Sequence, residues 1–268
     1  MSNPPTIALI GAPTDINSSF LRGPAKAPAQ VRAQLFSDHS NHSAENGAEM
    51  GVDVIIDDRG DLPLVEGPGD DALITQGLAE ALAAGAVPIV IGGDHAITFP
   101  ILRAIAAHHG PVDLLHFDAH PDLYDELLGN RRSHASPFAR IMEAGLARRL
   151  VQVGIRTLNP HQREQAAKFS VEVIEMRHFA ADQVPVLAGP LYISIDIDAL
   201  DPAFAPGVSH HEPGGLTVRD ILNVIQRQTA TLVGADVVEF NPDRDVNGMT
   251  AVVAAKFVKE LAGMIAQR

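Results

Sequence analysis

The chain has 268 residues, 46% of them hydrophobic, with a net charge of −13. That is apolar enough for a large core and excludes a disordered chain, while the acidic balance argues against nucleic acid or an anionic membrane as partner and suits a cationic substrate. There is no cysteine, which excludes disulfide frameworks, thiolate zinc sites and cysteine nucleophiles; any metal must sit on histidine and carboxylate, a donor set that favours harder ions such as manganese. Aromatic residues are only 4% and tryptophan is absent, so no stacking platform for single-stranded nucleic acid is expected. The N-terminal Met-Ser-Asn-Pro-Pro has neither the basic nor the apolar region of a leader, and no apolar run reaches membrane-spanning length; a soluble, cytoplasmic protein is expected.

In chain order, an apolar strand over 6–11 ends in a Gly-Ala-Pro turn, and the loop from Asn17 leads to a helix carrying Val31 and Leu35. Residues 37–51 are polar and read as a surface loop. A strand is expected over 52–56, then a helix over 70–85 whose leading Asp70 and Asp71 complement the helix dipole. A buried strand over 87–91, a helix over 97–108 and a strand over 112–117 follow. Helices over 134–144 and 160–169 flank a strand over 150–155, and a short strand follows over 171–174. The chain closes with a strand over 191–197, a helix over 217–228 capped by Thr217, a strand over 231–240 and a long helix over 249–266. This alternation, with several strands that are continuous apolar runs, predicts one α/β domain spanning 1–268, its mostly parallel central sheet covered on both faces. Ligands bind beyond the carboxyl ends of the strands in such sheets.

Four segments put polar groups at those ends. Ile91-Gly-Gly-Asp-His95 carries two glycines that allow a tight turn beside a ligand, although a lone His95 reads as an ordinary loop histidine. Asp118, His120 and Asp122 follow the apolar strand two residues apart, so in an extended chain they project to one side. Asp196 and Asp198 alternate with isoleucines; two adjacent buried carboxylates need a cation, because like charges at short range cannot both stay ionised. Asp201, before Pro202, reads as a turn residue or a supporting acceptor. Glu239 ends the last strand. Four aspartates and two neutral imidazoles balance two divalent cations, and six protein ligands leave open positions, as two-metal hydrolytic sites require.

Gly92-Gly-Asp-His95, Asp118-Ala-His-Pro-Asp122 and Ser194-Ile-Asp-Ile-Asp-Ala-Leu-Asp-Pro202 resemble the signature motifs of the ureohydrolase family of arginases, agmatinases and related guanidino-acid hydrolases. The similarity runs over nearly the whole chain and leans toward the plant-type arginases, through Asn17-Ser-Ser-Phe-Leu, Ser133-His-Ala-Ser and Asp236-Val-Val-Glu-Phe-Asn-Pro. The resemblance implies a three-layer α/β/α fold and two manganese ions held by His95, Asp118, His120, Asp122, Asp196 and Asp198. It assigns His134 as a proton shuttle and Glu239 as the guanidinium-binding group. It further implies hydrolysis of L-arginine to L-ornithine and urea, with agmatine or another guanidino acid as the alternative substrate, and a homo-oligomer, trimeric or hexameric. A non-catalytic metal-binding subunit would be expected to lose some of these eight residues, and all eight are present. A metal-dependent deacetylase on a related fold would not need the complete set.

The loop between Asp122 and His134 is expected at the cleft mouth. There Asn130 and Ser133 can hydrogen-bond an α-carboxylate, Arg131 or Arg132 can attract it, and Tyr124 can line the pocket.

Overall fold

The apolar runs Val87–Gly92 (β3), Val112–Phe117 (β4), Leu191–Asp196 (β7) and Leu232–Val238 (β8) are buried along their whole length. Only strands covered on both faces can be so uniformly apolar. They form the middle of an eight-stranded sheet in the order β2-β1-β3-β8-β7-β4-β5-β6, completed by Thr6–Ala12 (β1), Ile55–Asp61 (β2), Ala147–Ile155 (β5) and Glu172–Glu175 (β6). Every pairing is parallel. The computed structural model describes residues 3–267. The edge strand β2 exposes Asp57, Asp58 and Arg59, a charged margin that discourages pairing with another chain.

Helices Ala27–Leu35 (α1), Val218–Gln226 (α6) and Met249–Ala266 (α7) cover one face through Val31, Leu35, Ile221, Val224, Phe257 and Leu261. Asp70–Ala83 (α2), Thr98–His109 (α3), Pro137–Glu143 (α4) and Pro160–Lys168 (α5) cover the other, with Ile74, Leu78, Ile101, Ile105 and Phe138 in that core. The result is a three-layer α/β/α fold. Among the described residues no helix is long and apolar enough to cross a membrane.

Three of the boundaries that differ from the sequence expectation do so for a plain physical reason. Residues 51–53 form a turn, so β2 starts at Ile55 and Val52 is left exposed. The helix expected from 134 starts at Pro137, because the His134 N–H is given to the Asn17 carbonyl (3.1 Å) and proline suits the first helical position. The last strand stops at Val238, because Glu239 turns into the left-handed region at φ 63°.

Candidate metal centre and active site

Adjacent strands β3, β8, β7 and β4 end side by side, and their carboxyl ends deliver His95, Glu239, Asp196 with Asp198, and the Asp118–Asp122 segment to one place. The two glycines at the end of β3, Gly92 and Gly93, serve a different purpose from the one the sequence suggested. A Cβ on Gly93 would lie 2.1 Å from the Thr14 carbonyl oxygen, and one on Gly92 would meet Ile97 and Val238. The glycines therefore admit protein, not ligand. The close approach lets the Asp94 N–H bond Thr14 O (2.9 Å) and the Asp94 carboxylate accept from Asn17 N (2.8 Å), which straps the loop after β1 across the site.

His95 Nδ1 is fully buried, has no hydrogen-bond partner, and faces Asp118 Oδ2 at 3.3 Å, Asp122 Oδ2 at 3.1 Å and Asp196 Oδ2 at 3.2 Å. Beside this group, His120 Nδ1 faces Asp118 Oδ1 at 3.3 Å and Asp198 Oδ2 at 3.1 Å. The two groups share Asp118, one oxygen to each, so the six residues expected to hold metal converge as two neighbouring ligand sets. An orphaned imidazole nitrogen among carboxylate oxygens, with no sulfur nearby, fits two hard divalent cations.

Two further carboxylate oxygens are tied down by backbone N–H groups: Asp196 Oδ1 by Asp198 (2.7 Å) and Asp198 Oδ1 by Ala119 (3.2 Å). Asp122 is held at φ 51°, a left-handed conformation that costs a non-glycine residue about 1 kcal/mol and is typical of functional positions. Asp201 ties its own loop by accepting from Ala203, Gly214 and Gly215.

Behind the ligands lies a set of supports that the sequence reading did not single out. Ser194 Oγ donates to Asp236 Oδ1 (2.6 Å) and stands 2.9 Å from His95 Nε2. Its hydrogen is thus committed, so it accepts from His95 Nε2–H and leaves Nδ1 as the atom that turns to the carboxylates, a lone pair once its proton is given up. Asp236 is kept in place by Tyr192 OH (2.8 Å) and Thr98 Oγ1 (2.9 Å). His116, which burial keeps neutral by lowering its pKa to about 4, presents Nε2 to Asp118 Oδ2 at 2.9 Å. Gln152 fixes that tautomer by donating to His116 Nδ1 (3.1 Å).

Glu239 and His134 meet at the edge of the cage. Glu239 Oε1 accepts from His95 N and lies 2.9 Å from His134 Nδ1, which leaves Oε2 for the cavity. Burial opposes a charge on His134, but Glu239, with Asp122 and Asp94 beyond it, raises its pKa to about 9. His134 Nε2 lies 2.9 Å from Ser19 Oγ, on the strapped loop.

Glu239, His134 and four of the six cage residues, His120, Asp122, Asp196 and Asp198, open onto a cavity of about 210 Å³. Its inner wall is Asp122, Asp196, Asp198, His134 and Glu239, and its outer wall includes Ser19, Tyr124, Thr157, His210 and Glu212. Tyr124 lies on the wall, its hydroxyl accepting from Asn159 Nδ2 (2.5 Å). Asn130 and Ser133 are not brought to it. Asn130 bonds Asn17 Oδ1 and Arg132 N, and Ser133 is buried with its hydroxyl accepting from Ala135 N.

Residues 5–263 match the Arginase family. "Arginase 1, mitochondrial" of Arabidopsis thaliana is 50% identical over 97% of this chain and 81% of its own. "Agmatinase, mitochondrial" of Gallus gallus is 37% identical over 95% of this chain and 79% of its own. The solved structure of an arginase from Medicago truncatula superimposes with a TM-score of 0.91 at 44% identity, covering 97% of this chain and 87% of that one. These matches span the sheet and all four strand ends that build the cage, and the chain belongs to the arginase family of hydrolases.

Proposed function

We propose that this protein hydrolyses the guanidino group of L-arginine, giving L-ornithine and urea, with two manganese ions as cofactor. The observation that carries the reading is Glu239 Oε2, an unshared buried carboxylate oxygen opening onto the same cavity as the two ligand sets. A planar guanidinium stays cationic at any working pH and offers paired N–H donors that suit such an acceptor. The half-identical arginase of Arabidopsis thaliana supports arginine as the substrate.

Bound in the cage, two divalent cations would supply a nucleophile from water near neutral pH and stabilise the charge that develops on the guanidino group. Glu239 orients the guanidinium with its central carbon toward the cage. His134, held by Glu239 on Nδ1, presents Nε2 to Ser19 and the cavity. When the C–N bond breaks and its electron pair stays on the departing nitrogen, His134 is the proton donor in reach. Agmatine is the second reading, favoured by the relative named as an agmatinase and by a cavity wall without arginine or lysine among the described residues.

A urea assay on the manganese-loaded protein with arginine, agmatine and shorter and longer guanidino acids tests the reading. Arginine is expected to give the highest kcat/KM, and no urea from any of them would overturn the proposal.

Metal loading itself should be visible as proton release. In the metal-free protein burial and the neighbouring Asp198 and Asp118 push Asp196 well up, burial and Asp118 push Asp122 to about 6, and the carboxylates hold His95 and His120 well above the usual imidazole range against the effect of burial. These protons compete with cations for the same atoms. Manganese affinity is therefore expected to fall as pH falls. Calorimetric titration at pH 7 in buffers of different ionisation enthalpy should report at least one proton released, and a buffer-independent heat would contradict it.

A further inference from the structure

Five carboxylates lie on the cavity wall, and four have work within the protein. Asp122, Asp196 and Asp198 belong to the cage, and Glu239 takes His95 N and His134. The fifth, Glu212, sits half-buried on the outer wall, and its carboxylate has no hydrogen bond or ion pair among the described residues.

Its backbone, by contrast, is firmly held. Arg156 donates to Glu212 O through Nε (2.9 Å) and Nη2 (2.6 Å), and the same guanidinium bonds the carbonyls of Asp198 (2.8 Å) and Ala199 (3.1 Å). Glu212 is thereby registered against a residue of the cage. On its other side, Gly214 N and Gly215 N are tied to Asp201 Oδ2 at 2.7 and 3.2 Å. A carboxylate carried on a fixed backbone at a cavity mouth, with no partner of its own, is available for one that arrives with the ligand.

The rest of the mouth offers no competing charge. The two arginines expected to draw a substrate carboxylate are spent elsewhere: Arg131 pairs with Asp125 and Glu143, and Arg132 makes a two-pronged contact with Asp71. Among the described residues no arginine or lysine lies on the wall, whose outer polar side chains besides Glu212 are Ser19, Tyr124, Thr157 and His210. A carboxylate at the far end of the substrate can find hydroxyl donors there but no cation.

Building on the proposed guanidino hydrolysis, we propose that Glu212 receives the ammonium group at the far end of the substrate. The site thereby selects guanidino compounds that carry a distal ammonium over guanidino acids that carry only a carboxylate. Glu239 reads the guanidinium at the inner end, Glu212 reads the second cation at the outer end, and the spacing between them acts as the gauge.

The test compares L-arginine, agmatine and 4-guanidinobutyrate as substrates of the manganese-loaded protein and of Glu212→Gln. Loss of one charge-assisted hydrogen bond is expected to raise KM about tenfold for arginine and agmatine, with kcat nearly unchanged. Turnover of 4-guanidinobutyrate, whose carboxylate no longer meets a like charge, should hold or improve. Calorimetric binding of L-ornithine should weaken by about the same factor, a readout that needs no turnover. An equal loss on all three substrates would make Glu212 a structural residue, and unchanged KM values would remove it from recognition; either overturns the inference alone. No urea from the unaltered protein with any of the three would instead remove the guanidino-hydrolase reading, and the inference with it.

Discussion

Replacing Asp118 with alanine is expected to abolish urea release and two-metal binding together. Asp118 is the one carboxylate that serves both ligand sets, Oδ2 toward His95 and Oδ1 toward His120. Its removal also leaves His116 Nε2–H and the His120 N–H without their acceptor in a buried site. Metal content by elemental analysis should fall from two ions per chain to below one. Two-metal stabilisation of the transition state is worth several kcal/mol, so kcat/KM should drop by about 10³ or more. Asp118→Asn, which keeps the shape and one acceptor oxygen, should retain the fold while losing at least one ion. A variant that kept both ions and full activity would rule out a shared carboxylate. Thermal unfolding of the metal-free proteins separates a lost site from a lost fold.

The ligand set was legible because its logic is local. Asp118, His120 and Asp122 declare themselves by spacing at the end of an apolar run, and Asp196 with Asp198 by being carboxylates in a run otherwise isoleucine. The supports were not legible, because their partners lie far along the chain. Gln152 is 36 residues from His116, and Thr98 is 138 residues from the Asp236 it bonds. One signal was present: Asp236 is a lone charge inside the buried strand Leu232–Val238, where an unpaired carboxylate would be costly. Tyr192 and Ser194, two apart on the neighbouring strand, supply its hydroxyl donors.

The cleft mouth is only partly legible in the sequence, for a related reason. Asn130 and Ser133 have the chemistry to bind a carboxylate, but Asn130 closes a turn with Leu127 and is tied to Asn17, while Ser133 faces inward. Side-chain chemistry identifies a candidate, and only the loop's backbone hydrogen bonds decide which way it points. Ser19 carries no such signal, because nothing in the residues 13–22 says that Asp94 and His134 will capture Asn17 and bring Ser19, two residues on, against the imidazole.

Glu239→Gln is expected to have the second large effect, and to show it in two independent measurements. The amide keeps the shape and one acceptor for His95 N and His134 Nδ1, but turns a donor toward the guanidinium, whose groups are all donors. Removing one charge of a buried, hydrogen-bonded ion pair with the substrate typically costs 2–5 kcal/mol, so kcat/KM for arginine should fall by roughly 10² to 10³. Metal content should stay at two ions per chain, which separates this variant from Asp118→Ala. The second measurement concerns His134. Its pKa of about 9 in the metal-free protein exceeds the ordinary 6.5 through Glu239 chiefly, against the effect of burial. A group raised on folding contributes stability that is fully present below its unfolded pKa and is lost as pH rises through the folded one. The difference in thermal stability between the unaltered protein and Glu239→Gln should therefore be largest near pH 6 and shrink between pH 6.5 and about 9. With Glu239 neutralised, burial acts unopposed by its nearest charge, and the His134 imidazole should titrate at lower pH, as histidine proton resonances can record. An unchanged His134 titration would break the link between the two residues, and with it the assignment of His134 as the proton donor poised by the guanidinium-binding carboxylate.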